Sequence, residues 1–392
     1  MTLLAHAQEL KPRLVELRRT IHRNPELGFD VYRTAELVAR TLGELGLEVQ
    51  TGVGKSGVVG YIGDGDGPVI GIRADMDALP ILEANQVDYA SQSPGMMHAC
   101  GHDAHTAMLL GAATLLAREK LPGQVRLIFQ PSEEIADAEG ISGAPRMIED
   151  GAIQGVDYVI ALHVDGEIEA GQIAVRHGLA SAAVDTFFAN VIGHGGHGAH
   201  PNHTVDPFWL TAQVLNAMFA IPSRRVEPHE PSVLSIGVVR GGDASNVIPD
   251  SVYIEGTLRS KDPAVRQLLL HEVGHCLDVA RALGGDYDLK IEIGYPPMIN
   301  NESVVEVIRQ AGVDLLGERG IAEAMPTMGA EDFAYMLEAH PGAMFGLGVR
   351  RHGGERRYLH SPNFDLDENA LPVGAAVLAE TALRLMRMGK PA

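Results

Sequence analysis

The segment "PVIGIRADMDALPI", residues 68–81, predicts the fold class of the chain. Its first half is a largely apolar run without strict alternation, which is typical of a strand buried on both faces of a parallel sheet. Asp75 and Asp77 follow the run directly, so the strand leads into a polar loop. Ligands bind where such strands end in open α/β sheets. The segment therefore predicts an α/β sheet with a functional site beside these two aspartates.

The same pattern recurs around this segment. Strands are predicted in three further stretches, and helices in two others, with the strands generally followed by polar or glycine-rich loops. The strand patterns are "GVVGYIG" (57–63), "GQVRLIFQPSEE" (123–134) and "DYVIALHV" (157–164), and the helical patterns are "HTAMLLGAATLLAREK" (105–120) and "GAPRMIEDGAI" (143–153). We expect a mixed, largely parallel sheet covered by helices.

A different pattern begins near residue 182 and ends near residue 294. Its elements follow the order strand, helix, strand, strand, helix, strand, which is that of a ferredoxin-like α+β unit. The α/β pattern resumes afterwards with the helical segment "NESVVEVIRQAGVDLLG" (301–317). We therefore expect an α/β domain formed by residues 1–181 and 297–392, interrupted by an inserted domain at residues 182–296.

Composition limits the function classes. The chain has 392 residues and a net charge of −20, which disfavours binding to nucleic acid. It lacks an apolar run long enough to span a membrane. The N-terminal segment has helical periodicity and does not resemble a signal peptide, and the chain has only two cysteines. These features predict a cytoplasmic protein without a disulfide framework.

A dense group of potential metal ligands lies in "HACGHDAHT", residues 98–106. A hydrophobic core requires none of these histidine, cysteine and aspartate side chains. Cys100 and His102 are two residues apart, so both side chains can point the same way in an extended loop. Taken alone, the segment fits a metal site, a cysteine nucleophile or a chance crowding of polar residues.

Further candidates are dispersed along the chain. Glu133 and Glu134 follow a strand pattern, and in an extended segment they would diverge, so that one could bind metal while the other faces substrate. His163 ends an apolar strand pattern, and His360 lies in the polar segment "YLHSPNF". Each alone has an ordinary explanation as a loop or surface residue. Their joint placement favours a dinuclear metal site with a carboxylate free to act on water.

Several of these segments resemble the metal-dependent amidohydrolases of the aminoacylase and carboxypeptidase superfamily. The resemblance spans nearly the whole chain and is closest to the branch of hippurate hydrolases, N-acyl-amino-acid amidohydrolases and auxin-conjugate hydrolases. The motifs that carry it include "LRRTIHRNPELGF" (17–29), "GIRADMDALPI" (71–81), "MHACGHDAHTAMLLGAA" (97–113), "GHGGHGAHPNHTVDP" (193–207), "MGAEDFAY" (328–335) and "LHSPNFDLDE" (359–368).

The resemblance implies a hydrolase of N-acyl amino acids that uses two divalent metal ions, which could be zinc, manganese, cobalt or nickel. It implies Glu133 as the general base and Cys100 as a ligand that bridges both ions. The full set of implied ligands is Cys100, His102, Glu134, His163 and His360.

The resemblance also assigns a role to the inserted domain. This domain would act as a lid and would form a homodimer or a higher homo-oligomer. His197 would stabilise the oxyanion, while Asn246 and Arg259 would bind the substrate. Two features depart from the family pattern: the segment "PSEEIADAEGISGA" (131–144) is longer than usual, and Asn202 stands where the lid motif often has histidine.

Three other functions compete with this hypothesis. A dipeptidase or carboxypeptidase would use the same chemistry. A zinc endopeptidase would use "HEVGH", residues 271–275, but Asp278 replaces the glycine of the extended motif and no third ligand cluster follows. The plainer interpretation places these residues, solvated, on a helix of the inserted domain. A non-catalytic binding protein would need neither the base nor the complete ligand set.

Overall fold

The computed structural model describes residues 2–323 and 327–391. The chain divides into two compact units, one formed by residues 1–178, 299–325 and 332–392 and the other by residues 179–298 and 326–331. The assignment of residues 182–296 to a lid and of the flanking parts to catalysis stays a prediction. Met1 and Ala392, at the outer ends of the predicted catalytic parts, lie outside the described residues.

The described residues form helices and strands that alternate through much of the chain. The helices are α1 (Leu3–Arg23), α2 (Tyr32–Glu44), α3 (His102–Leu116), α4 (Gly143–Glu149), α5 (Pro207–Arg224), α6 (Pro263–Ala282), α7 (Glu302–Leu316), α8 (Ala334–Ala339) and α9 (Leu371–Met388). The strands are β1 (Glu48–Val53), β2 (Gly57–Ile62), β3 (Val69–Asp75), β4 (Gln124–Gln130), β5 (Tyr158–Glu169), β6 (Ile173–Val175), β7 (Gly178–Ser181), β8 (Ala183–Ile192), β9 (Gly196–His197), β10 (Ser232–Arg240), β11 (Val247–Ile248), β12 (Ser251–Ser260), β13 (Asp286–Ile293), β14 (Met298–Asn300), β15 (Ile321–Glu323) and β16 (Gly342–Arg350).

An eight-stranded sheet organises the first unit, in the order β1-β2-β4-β3-β5-β16-β6-β15. The central strands β4, β3, β5 and β16 are parallel, whereas β1, β2 and the β16–β6 pair are antiparallel. Ile70 and Ile72 of β3 are fully buried, as expected for a strand covered on both faces. The predicted mixed, largely parallel α/β sheet is confirmed. Because β3, β4 and β5 run in the same direction, their carboxyl ends meet at one edge.

Helix α3 is a core helix of the first unit and packs against α1 and α9. Met108, Leu109 and Leu110 project in three different directions around the helix, about 100° apart, and all three are buried. Because α3 is buried on nearly every face, the elements around it fix its position, and its N-terminal turn lies beside Asp75 at the end of β3 and beside Val164 within β5.

The second unit contains the predicted ferredoxin-like order β8, α5, β10, β12, α6, β13, in a fully antiparallel sheet β10-β12-β8-β13. Both helices begin at an Asp-Pro pair. The Asp206 carboxylate accepts the N–H of Phe208, and Asp262 accepts the N–H of Ala264. An acidic N-cap followed by proline starts a helix because it satisfies free N–H groups and presets the backbone. Phe187 is fully buried and lies in the hydrophobic core of the second unit.

None of the described helices combines the length and hydropathy that a membrane span requires.

Gly101 sets the start of α3. Its φ of +86° lies in the left-handed region, where side chains are strained, and a Cβ at this position would lie 2.4 Å from Cγ2 of Val164. The left-handed turn directs the chain from Cys100 into the helix, and the missing side chain lets α3 approach β5.

Gly101→Ala should therefore destabilise the chain more than Gly95→Ala, a matched control with a φ of +85°. Both substitutions place a Cβ on a residue in the left-handed region, which costs about 1–2 kcal/mol of stability. A Cβ at Gly95 would meet no described atom within 4 Å, so only Gly101→Ala adds an overpacking cost of about 1–3 kcal/mol. Urea unfolding of both variants measures the difference, and equal losses would contradict the steric explanation.

Candidate metal centre

Asp77 anchors three of the predicted site residues. It follows the end of β3 and is buried, and its two carboxylate oxygens accept the backbone N–H groups of Glu133 and Glu134, each at 3.1 Å. The backbone carbonyl of Asp77 accepts a hydrogen bond from Nδ1 of His102 at 2.8 Å. A single residue thus holds the loop after β4 and the first residue of α3 in place.

The five predicted ligands lie together around Cys100. Potential ligand atoms of Cys100, His102 and His163 lie within 4.8 Å of one another, and so do those of Cys100, Glu134 and His360. Sγ of Cys100 is 3.5 Å from Nε2 of His163, and Nε2 of His360 is 3.1 Å from Oε1 of Glu134. The two groups share only the cysteine. Metal binding by these residues stays a prediction.

Hydrogen bonds set the orientation of two of the imidazoles. Nδ1 of His102 lies 2.8 Å from the carbonyl of Asp77, and Nδ1 of His163 lies 2.8 Å from the carbonyl of Val164. Since a carbonyl only accepts, each Nδ1 carries the proton, and in the neutral ring Nε2 has a free lone pair. Nε2 of His102 is buried and has no hydrogen-bond partner among the described residues. This arrangement is typical of metal-binding histidines.

The charges around the cluster also suit a cation. Burial lowers the pKa of His102, but Asp75, Asp77 and Glu134 outweigh it and raise this pKa to about 10. Burial raises the pKa of the Cys100 thiol well above its usual range, and the nearby carboxylates raise it further. The carboxylates thus hold protons on the cluster, and a divalent cation would replace those protons.

The structure corrects three expectations about the local conformation of the candidate residues. Glu133 and Glu134 do not diverge, since a carboxylate oxygen of each lies within 4.8 Å of the other and of Nε2 or Nδ1 of His102. The segment is not extended, because Ser132 has a φ of +52°. His163 lies inside the 12-residue strand β5 rather than at its end. Cys100 and His102 converge through the turn at Gly101 and not through an extended loop.

His360 approaches the cluster from a loop before α9. Its backbone N–H donates to the carbonyl of Ala99 at 2.8 Å, which ties this loop to the segment that contains Cys100. Its φ of +61° is left-handed, an uncommon conformation for a residue with a side chain. Such strain is often found where a side chain must be aimed at a functional site.

The substrate residues predicted for the lid all belong to the second unit. His197 and Asn246 are brought together, because β9 pairs with β11 and the N–H of Gly198 donates to the carbonyl of Asn246 at 2.8 Å. His197 and Asn246 are both exposed. Arg259 lies on β12 in the four-stranded sheet and is half-buried, and this burial lowers its pKa. Their roles toward a substrate stay predictions.

The "HEVGH" segment lies on α6. His271 and His275 are exposed, with ring centroids 4.0 Å apart. Glu272 is buried rather than solvated, and its carboxylate accepts two hydrogen bonds of 2.8 Å from Arg225. Within the described part of the chain, no cluster of three metal-ligand side chains includes His271. The glutamate that a zinc endopeptidase would use as its base is held in a structural ion pair.

Sequence reasoning missed a buried charge network behind the metal centre. Nε of Arg18 donates to Asp103 at 2.7 Å, and the same guanidinium contacts Asp365 at 3.2 Å and Glu368 at 3.3 Å. His22 also contacts Asp103, at 2.8 Å. Burial raises the pKa of Asp103, but Arg18 and His22 outweigh it and hold this pKa well below its ordinary value.

The signal for this network was present in the sequence. Arg18 falls on the apolar stripe of α1 together with the buried Leu14, Leu17 and Ile21. A charged residue on the buried face of a helix requires a partner in the core. The identity of that partner could not be read from α1, because Asp103 is 85 residues away.

Comparison with known proteins identifies the family to which the chain belongs. The model of Peptidase family M20/M25/M40 matches residues 71–384. The chain belongs to this family and is a hydrolase, so the predicted superfamily and enzyme class are confirmed.

Relatives with different activities cover nearly the whole chain. Thermostable carboxypeptidase 2 of Saccharolobus solfataricus is 40% identical over 384 residues, which cover 96% of each chain. N-acetyl-L-cysteine deacetylase of Bacillus subtilis is 38% identical over 384 residues, covering 96% of this chain and 89% of the relative. The crystal structure of Bacillus subtilis YXEP, described as a dinuclear metal binding peptidase from the M20 family, matches with a TM-score of 0.85 and 33% identity, covering 97% of this chain and 99% of that one.

The buried network predicts unequal effects of two neighbouring arginines. Arg18→Met should destabilise the chain by about 3–5 kcal/mol, because it removes the guanidinium that pairs with the fully buried carboxylate of Asp103. Arg19→Met is the matched control, since Arg19 also pairs with Glu368 but is partly exposed. Its loss should cost about 1 kcal/mol or less. Chemical denaturation measures both values, and comparable losses would show that the burial of Arg18 does not control its contribution.

Proposed function

We propose that the chain hydrolyses the amide bond of N-acyl amino acids at a centre of two divalent metal ions. The observation that carries this proposal is the pair of ligand groups that share Cys100, with Glu133 beside them. The relative named N-acetyl-L-cysteine deacetylase supports an N-acyl amino acid as substrate. The structure described as a dinuclear metal binding peptidase supports the number of ions.

The side chains of the first unit fit this role. Cys100, His102 and His163 would hold one ion, and Cys100, Glu134 and His360 the other. A thiolate suits zinc, cobalt or nickel better than magnesium or calcium, and histidine with carboxylate also accommodates manganese. When bound, such ions polarise the scissile carbonyl and lower the pKa of water.

Glu133 is the general base of the proposed reaction. Its carboxylate accepts a proton from the attacking water and then donates that proton to the leaving amine. The hydrogen bond from its N–H to Asp77 fixes the backbone from which this carboxylate projects. No serine or cysteine nucleophile is required, because water attacks directly and Cys100 serves as a ligand.

The second unit supplies the substrate contacts in this proposal. Nδ1 of His197 accepts the N–H of Ala199 at 3.0 Å, so in the neutral ring Nε2 carries the proton and can donate to an oxyanion. Asn246 would bind the substrate carbonyl, and the planar guanidinium of Arg259 would bind the α-carboxylate through both oxygens. Residues 182–296 would also form the contacts of a homodimer or higher homo-oligomer.

A carboxypeptidase is the second candidate function. It is favoured by the relative named thermostable carboxypeptidase 2, which is 40% identical. Both activities release an amino acid with a free α-carboxylate from an amide, so the same site could serve either. The group on the other side of the scissile bond distinguishes them.

The base assignment predicts a separation of metal binding from catalysis. Glu133→Gln should lower kcat by about 100- to 10,000-fold, because an amide cannot accept the water proton. Its metal content should stay that of the wild type, as measured by elemental analysis of the same sample. Glu134→Gln should instead lose metal, since it removes a ligand.

Glu139→Gln is the control for a change of charge in the same segment. Glu139 is exposed and pairs with Arg146, so its replacement should leave both kcat and metal content unchanged. Full activity in Glu133→Gln would exclude this residue as the base.

A substrate panel tests the proposed specificity. Metal-free protein should be loaded separately with zinc, manganese, cobalt or nickel and assayed with N-acetyl and N-benzoyl amino acids, dipeptides and longer peptides. We expect the highest kcat/KM for N-acyl amino acids, measured as release of the free amino acid. Higher kcat/KM for dipeptides or for C-terminal residues of peptides would instead establish the peptidase function.

A further inference from the structure

His105 links three elements beside the metal centre although it belongs to neither ligand group. It lies in the first turn of α3 and is 1% exposed. Its Nδ1 is 2.6 Å from Oδ1 of Asp75, the last residue of β3, and its Nε2 accepts the backbone N–H of Val164 on β5 at 3.0 Å. Because Nε2 accepts a hydrogen bond, the neutral ring carries its proton on Nδ1 and donates it to Asp75.

Val164 lies where β5 no longer pairs with β3, although it still pairs with β16 on its other side. The ladder between β3 and β5 runs from Ile70 and Tyr158 to Arg73 and Ala161, so Val164 is three residues past its end. The N–H and C=O of a strand residue point to the same side, and a buried backbone group requires a partner. Nε2 of His105 therefore supplies the acceptor that a longer β3 would have supplied.

The carbonyl of the same residue orients a candidate ligand. It accepts the hydrogen bond from Nδ1 of His163 at 2.8 Å, and Nε2 of His163 lies 3.5 Å from Sγ of Cys100. The rings of His105 and His163 also contact each other edge to face, with centroids 4.7 Å apart. His105 thus touches the ring of His163 and holds the backbone to which that ring is hydrogen-bonded.

Asp75 in turn fixes His105. Its second oxygen, Oδ2, accepts a 2.6 Å hydrogen bond from the buried guanidinium of Arg73, and its backbone carbonyl accepts the hydroxyl of Thr106 at 2.9 Å. With both ends held, the imidazole of His105 has one orientation.

We propose that His105 is a positioning residue of the metal centre. It holds Val164 in the place from which Nε2 of His163 would bind the ion that His163 is proposed to share with Cys100 and His102. This inference rests on the proposed metal centre. The donor to Asp75 and the acceptor for Val164 have separate roles, and only the acceptor affects metal affinity. Partners of metal ligands typically contribute about 10- to 100-fold in affinity.

Two substitutions separate these roles. The amide of His105→Asn stands near the former Nδ1, so it can donate to Asp75 but does not reach Val164. The amide of His105→Gln stands near the former Nε2, so its oxygen can accept the N–H of Val164. We expect His105→Asn to weaken one of two cobalt sites by about 10- to 100-fold and His105→Gln to keep wild-type affinity within about twofold.

The experiment is a titration of metal-free full-length protein with cobalt(II), followed by its d–d and thiolate charge-transfer absorption. Thermal unfolding without metal reports any general loss of stability. His271→Ala, which changes an exposed histidine of the second unit, should bind cobalt like the wild type. In a His163→Ala background, His105→Asn should have no further effect on affinity, because the ligand that it positions is absent.

The outcomes are distinct. Absence of cobalt–thiolate absorption in the wild type would overturn the metal centre and this inference with it. Two cobalt sites in the wild type with unchanged affinities in His105→Asn would overturn the positioning role alone, as would an equal effect in the His163→Ala background. If His105→Asn does not fold, His105→Leu, which also has no acceptor for the N–H of Val164, takes its place: a loss of tenfold or more (about 1.4 kcal/mol) supports the role, and unchanged affinity overturns it. A loss of tenfold or more in His105→Gln, which keeps the acceptor, also overturns the role.

Discussion

The hydrogen bonds of Asp77 are the constraint on which the site depends. A buried carboxylate is costly unless its oxygens accept hydrogen bonds, and here the donors are the N–H groups of Glu133 and Glu134. The loop after β4 must therefore return to the end of β3, which is possible because the two strands are parallel neighbours. The requirement of one aspartate for donors thereby brings the proposed base and a proposed ligand to the same edge of the sheet.

Charged side chains around this edge form a buried network, and their desolvation costs free energy. The guanidinium of Arg73 contacts Asp75, Gln130 and Asp332 at 2.6–2.9 Å and is almost fully enclosed. Apolar residues of similar volume often give equal or greater stability than such buried ion pairs. The ion pairs instead set the orientation of the side chains, since each hydrogen bond restricts the side chain that it holds. A metal centre needs this restriction more than it needs stability.

The two units differ in how they hold their candidate residues. In the first unit, buried candidate ligands such as His102 are fixed by backbone carbonyls and by enclosed helices and strands. In the second unit, His197 and Asn246 are exposed and lie on strands of only two residues. Buried, tightly bonded side chains suit a permanent ion, whereas exposed donors suit a substrate that must enter and leave.

The sequence by itself determined the classes of element and the chemistry of the site. Buried strand patterns such as that before Asp75 and the alternation of strand and helix patterns are local signals, so the α/β sheet and the ferredoxin-like order followed from them. The five candidate ligands were also identifiable, because cysteine and histidine next to apolar runs are chemically conspicuous and match a family pattern along nearly the whole chain.

Only the tertiary structure decided which residues hold that chemistry in place. The turn at Ser132 makes two adjacent glutamates converge, and β5 continues past His163 instead of ending there. Arg18 pairs with Asp103, which is 85 residues away, and Nε2 of His105 accepts the N–H of Val164 at a point that β3 does not reach. The last two contacts join segments that are distant in sequence, and each depends on where buried groups find hydrogen-bond partners. Local pattern carries no information about such partners, because the folded core alone brings them within reach.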